Sequence, residues 1–141
     1  MAWTPYKDAA GKRIPSVTTV ISRFKESGGL VHWAWNLGME GADYRAVRDE
    51  AADAGTCAHA MIEAFVKSQP FVRQGWGEDV LAKADSAYAA FQTWAAGTRL
   101  EPHASEVRMV SAELRVGGTC DAVVKIGGRL AIADYKTGSL Y

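Results

Sequence analysis

Two β-rich runs, Gly118-Thr119-Cys120-Asp121-Ala122-Val123-Val124-Lys125-Ile126 and Arg129-Leu130-Ala131-Ile132-Ala133-Asp134-Tyr135-Lys136, flank the dipeptide Gly127-Gly128. A Gly-Gly pair between such runs signals a two-residue hairpin, because both turn positions accept a positive φ. With those turn residues, Ile126 faces Arg129, and counting back along both runs sets Asp121 directly opposite Asp134. Paired side chains share a face with Cβ atoms ~5 Å apart. A one-residue slip would put the two aspartates on opposite faces.

Upstream, Glu106-Val107-Arg108-Met109-Val110 reads as a third strand. The preceding chain is helical. Ile14 to Phe24 has β-branched residues that favour a strand. However, Val17, Val20, Ile21 and Phe24 have helical spacing and Ser16 is a cap residue, so a helix is preferred, ended by Gly28-Gly29. Leu30 to Leu37 forms a second helix and Ala42 to Ala54 a third, with Gly55-Thr56 breaking the pattern or opening the next turn. From Thr56 to Lys67, Cys57, Ala58, Met61, Ile62 and Phe65 make an apolar stripe, with His59 and Glu63 four apart beside it. Glu78 to Ala96 is the strongest helix, carrying Val80, Leu81, Ala84, Tyr88, Phe91 and Trp94, with Gly97 as its terminator. Residues 1–13 read as an extended or loosely ordered entry. Helices first and an antiparallel meander last give an α+β or α/β chain.

The 141 residues fit a single domain. A hydrophobic content of 48% and a charged content of 23% are ordinary for a globular chain and exclude disorder. Sixteen basic and 16 acidic side chains cancel, so no overall basic field argues for nucleic acid. The two cysteines, Cys57 and Cys120, are too few for a disulfide scaffold or a four-cysteine iron–sulfur cluster, and serve as small packing residues. No apolar run approaches the ~20 residues of a membrane span, and the start lacks a secretion signal. The expectation is a cytoplasmic protein with no membrane partner.

Two facing carboxylates ~5 Å apart repel by on the order of 3 kcal/mol at an effective dielectric of ~20. A divalent cation removes that cost, and Mg²⁺ or Mn²⁺ takes hard oxygen ligands on a rigid platform. Lys136, two residues beyond Asp134, projects from the same face. Two metal-gripping acids and a neighbouring ammonium suit phosphodiester hydrolysis. The ion activates water, and the lysine orients it or stabilises developing charge.

Gly118-Thr119-Cys120-Asp121 followed by Asp134-Tyr135-Lys136-Thr137-Gly138 resembles the core motifs of the PD-(D/E)XK nucleases, and more narrowly the RecB-like, Cas4-like exonuclease branch with its phage recombination nucleases. Gly55-Thr56-Cys57-Ala58-His59 is similar to that branch's N-terminal helical motif, and Pro15-Ser16-Val17-Thr18 to the opening of many phage members. The resemblance spans roughly Pro15 to Gly138. It implies a restriction-endonuclease-like core, with N-terminal helices packed on a mixed sheet containing the antiparallel hairpin at 118–136. It also implies a DNA nuclease, an exonuclease in the common case. By the same resemblance, Asp121, Asp134, His59 and the backbone carbonyl of Tyr135 hold Mg²⁺ or Mn²⁺, and Lys136 is catalytic. Glu106 is a weaker metal residue, and Glu63 orients His59 or a metal-bound water. The implied partners are DNA and a recombination or replication protein.

Branch members continue past the lysine into a helix bearing a Gln and a Tyr, whereas this sequence stops at Tyr141. It is either a fragment or an abbreviated member, and the fragment is preferred because an open sheet edge is a liability. The rival to an enzyme is an inactive nuclease-like module that binds DNA or protein. A purely structural domain would leave two facing aspartates to chance. His32 and His103 have no motif context and read as structural or exposed. Of the tryptophans, Trp94 reads as core, and Trp76, in a Gly-flanked loop, is the one considered for base stacking.

Overall fold

The computed structural model describes residues 4–26 and 28–137. Gly138 of the lysine motif and the end of the chain at Tyr141 lie outside the described residues. The entry is more ordered than its composition suggests. Tyr6–Lys7 (β1) and Arg13–Ile14 (β2) pair antiparallel. The Asp8 carboxylate organises the turn between them by accepting the Ala10 and Lys12 amides at 3.0 and 2.9 Å.

Val17–Ser22 (α1) is helical, and Ser16 caps it by accepting the Thr19 amide at 3.0 Å. Gly28-Gly29 does not terminate that helix but opens Gly28–Met39 (α2). The two helices expected over 42–67 are one, Tyr44–Val66 (α3), capped by Asp43. Gly55 does not break it, since the i to i+4 ladder continues and Thr56 Oγ1 donates to the Ala52 carbonyl at 2.8 Å. Glu78–Thr98 (α4) has Glu78 and Asp79 in its first turn, where the helix dipole favours acids. It runs through Gly97 and ends at Arg99, whose left-handed φ of 52° forms the cap.

Glu101–Ser111 (β3), Val116–Ile126 (β4) and Arg129–Ala133 (β5) form one antiparallel sheet in the order β3-β4-β5. Among the described residues, parallel pairing is limited to the single bridge between Ser16 and Gly117, so the expected mixed sheet is antiparallel apart from that contact. The hairpin register is the expected one, from Ile126 opposite Arg129 to Ala122 opposite Ala133. Gly127 and Gly128 have φ of 58° and 79°, as a primed turn requires.

The core joins the long helices to the sheet. Cys57, Ala58 and Met61 of α3 pack with Ala84 of α4. Ile62 packs with Phe91 and Ala95, and the sheet contributes Ala122, Val124 and Ala133. The Tyr135 ring touches the last two groups and ties them together. Burying side chains such as Met61 and Ile62 contributes about 1.5–3 kcal/mol each. Trp94 departs from the core role expected of it. Trp94 is 41% exposed and lines a groove with Phe91, Ile132 and Lys136. Trp76 instead packs with Phe71 against the core of α3 and α4.

Candidate functional site

The apolar stripe of α3 fixes how that helix sits, and this aims His59 at the end of the hairpin. His59 Nε2 lies 2.9 Å from the Tyr135 carbonyl oxygen. That bond requires the proton on Nε2 and leaves Nδ1 toward Asp121 Oδ2, 3.8 Å away. Asp121 Oδ2 in turn accepts the Tyr135 amide at 2.7 Å. The backbone of Tyr135 therefore links residues from α3 and β4 through both its N–H and its C=O.

The two aspartates do not face each other as the alternation implies. The ladder stops at Ala122–Ala133, and Asp134 lies just past the last pair. The chain leaves the strand there, so Asp121 meets the Tyr135 amide instead of a second carboxylate. A charge-assisted bond thus replaces a repulsion. Asp134 pairs with Lys136 at 2.5 Å, and both side chains are largely exposed. Both line the α4–β5 groove, and Asp121, His59, Glu63 and Glu106 line a small pocket that adjoins it through Ile62 and Tyr135, which line both.

Glu106 and Glu63 close that pocket from β3 and α3. Glu106 adopts a left-handed φ of 50°, uncommon for a side chain with a Cβ. Burial raises its pKa above the ordinary value, and the charges of Glu63 and Asp121 raise it further, against smaller opposing effects of His59 and Lys67. Glu63 is ion-paired with Lys67 one turn on. Burial, then the Asp121 charge, raises the Tyr135 phenol pKa. Ser105, in the pocket wall, gave no sequence signal strong enough to single it out, although alternation along β3 sets it inward opposite Ala122. Thr137 lines the α4–β5 groove, and its Oγ1 stands 3.0 Å from where a Cβ on Gly55 would sit.

Among the described residues, no three His, Cys, Asp or Glu side chains converge as a metal cluster. What converges is one imidazole, one carboxylate and one main-chain carbonyl. An imidazole lone pair facing a carboxylate repels it unless a proton or cation lies between them. The pair His59 Nδ1 and Asp121 fits a divalent ion of the Mg²⁺ or Mn²⁺ type, and the Tyr135 carbonyl would join it only once its bond to the His59 Nε2 proton opens.

Long helices laid on an antiparallel hairpin, with a His- and acid-lined pocket where they meet, define an α+β protein built around one polar site. The family model of the PD-(D/E)XK nuclease superfamily matches residues 9–140, and the chain belongs to that superfamily. No curated protein and no solved structure gives a significant match. The superfamily's general chemistry is phosphodiester hydrolysis in nucleic acid, generally with divalent metal ions. No helix among the described residues is long and apolar enough to cross a membrane.

Proposed function

We propose that the chain is a metal-dependent deoxyribonuclease of the RecB-like branch, acting as an exonuclease. The observation that carries this reading is the convergence of His59, Asp121 and the Tyr135 carbonyl from three separate segments. His59, Asp121 and Tyr135 would hold Mg²⁺ or Mn²⁺, and Glu63 and Glu106 would shape its surroundings. When bound, such an ion lowers the pKa of a water and polarises a phosphoryl oxygen. Asp134 would join the ion, and Lys136 would turn to the scissile phosphate, once their mutual ion pair opens. DNA is the substrate, and RecB-like motifs support action from ends. A cytoplasmic setting in a bacterial or phage-infected cell, beside a recombination or replication partner, goes with this reading.

A second reading, an inactive module that binds DNA or protein, has one observation in its favour: the Asp134 carboxylate is taken up by an ion pair with Lys136. Cleavage of linear and closed circular DNA with Mn²⁺, beside Asp134→Asn and Lys136→Ala, separates the two. The enzyme reading expects degradation of the linear form alone and its loss in both variants. DNA binding without cleavage supports the module, and wild-type rates in both variants refute the assigned roles.

A further inference from the structure

Gly28–Met39 (α2) contains no Asp, Glu, Lys or Arg, yet none of its residues is buried. Trp33, Ala34 and Leu37 are half-buried and mark the side turned to the protein, where Trp33 shares a groove with Arg48 and Ala51 of α3. The other side carries Val31, Trp35 and Met39. Their spacing of four makes them one stripe, and they are 66, 59 and 69% exposed. The His32 ring stacks on Trp35 with centroids 5.9 Å apart. A helix face that met only water would carry charges, so this stripe is built to be covered.

We propose that a second copy of the chain covers it, the two α2 helices packing antiparallel about a two-fold axis at Trp35. The stripe is self-complementary in that arrangement. Val31 and Met39 each lie four residues from Trp35, so Val31 of each copy stands level with Met39 of the other, and the two Trp35 rings meet at the centre. Charge agrees with it. Arg23-Phe24-Lys25-Glu26, before α2, has two basic residues and one acidic, and Glu40 follows the helix. Antiparallel copies set each positive end against a negative end and oppose the helix dipoles. The uncharged stripe leaves no charge unpaired, and the chain's net charge of zero opposes no approach. Phe24 and Leu30, both exposed at the same end of α2, extend the apolar area to roughly 500 Å² per copy. A pair then buries about 1,000 Å², the lower bound of a specific interface, so the dimer is reversible, with a Kd on the order of 10 µM. The proposal does not depend on the nuclease reading.

Sedimentation equilibrium of the metal-free chain, from about 1 to 200 µM, tests it. The wild type is expected to pass from monomer to dimer. Trp35→Ala should raise the Kd about thirty-fold, as a central aromatic anchor does, whereas Leu130→Ala, an equally exposed apolar residue on β5, should leave it unchanged. Val31→Lys and Met39→Glu should each abolish the dimer alone. Mixed one to one they should restore it, because the antiparallel register sets the introduced lysine level with the introduced glutamate. Circular dichroism checks that the variants keep the wild-type helix content. A wild type that stays monomeric throughout the range overturns the proposal, whether DNA or another protein proves to bind the stripe. So does a wild-type Kd in Trp35→Ala, or equal weakening by Leu130→Ala. A mixture that stays monomeric overturns the antiparallel arrangement.

Discussion

Gly55→Ala sets helix propensity against a tertiary contact, and the structure says which wins. Gly55 lies inside α3, where alanine is better than glycine by about 0.8–1.0 kcal/mol. The new Cβ would stand 3.0 Å from Thr137 Oγ1, so a few tenths of an ångström must be yielded. The atom it meets is the end of an exposed side chain, and moving Thr137 costs about 0.5 kcal/mol by the rotamer scale. The expected net effect is a stabilisation of about 0.5 kcal/mol, roughly 2 °C in Tm for a chain of this size. Gly55→Val brings a branched Cβ and more volume against Thr137 and should destabilise by about 1–3 kcal/mol. Thr137→Ala should recover most of that loss. Urea denaturation in EDTA measures the wild type, both single variants and each of them combined with Thr137→Ala. Destabilisation by Gly55→Ala of more than about 1 kcal/mol, with no recovery on adding Thr137→Ala, would refute both the continuous helix and the close approach of Thr137.

Other substitutions probe the site and its supports. The Glu106 pKa is raised in the fold, so ionising Glu106 costs stability as pH rises from its ordinary value through its folded value. Glu106→Gln should therefore stabilise the metal-free protein at neutral pH and change little below the ordinary value of 4.5, as denaturation at both pH values would show. Gly117→Ala would bring a Cβ to 2.2 Å from Tyr6 Cγ. It should displace the ring, break the Tyr6–Thr119 hydrogen bond and cost about 1–3 kcal/mol, seen as a lower Tm. Phe91→Ala, at 7% exposure, should cost about 3–5 kcal/mol, and Trp94→Ala, at 41%, roughly half as much; chemical denaturation ranks the two.

What was legible in the sequence is what local chemistry decides. Gly127-Gly128 leaves one favourable turn, and a two-residue turn determines every pair behind it, so the register from Ala122 to Ile126 could be counted. The Ser16 cap and the Cys57-Ala58-Met61-Ile62 stripe were legible for the same reason. Gly55 misled because a single glycine inside a helix costs only about 1 kcal/mol relative to alanine, so it does not by itself break a run whose neighbouring turns pack, as α3 shows. Gly28-Gly29 misled because glycine is far commoner just past a helix end than at a helix start, and here it opens α2. Trp94 misled because helical spacing predicts a face, but not whether the sheet extends far enough to cover it. In the site, the motifs brought His59, Asp121 and Tyr135 together on the page as in the fold. The position of Asp134 was not legible, because alternation stops predicting a side chain's direction once the strand ends at Ala133.

Release of nucleotides from end-labelled linear DNA by the purified chain, with Mn²⁺ and with EDTA, bears on the whole chemical reading. The wild type should degrade the DNA with Mn²⁺ and fail in EDTA, and Asp121→Asn and His59→Ala should each lose roughly a hundred-fold or more in rate. Degradation by Asp121→Asn at the wild-type rate, or by any of these proteins in EDTA, would contradict a metal-dependent nuclease centred on His59 and Asp121.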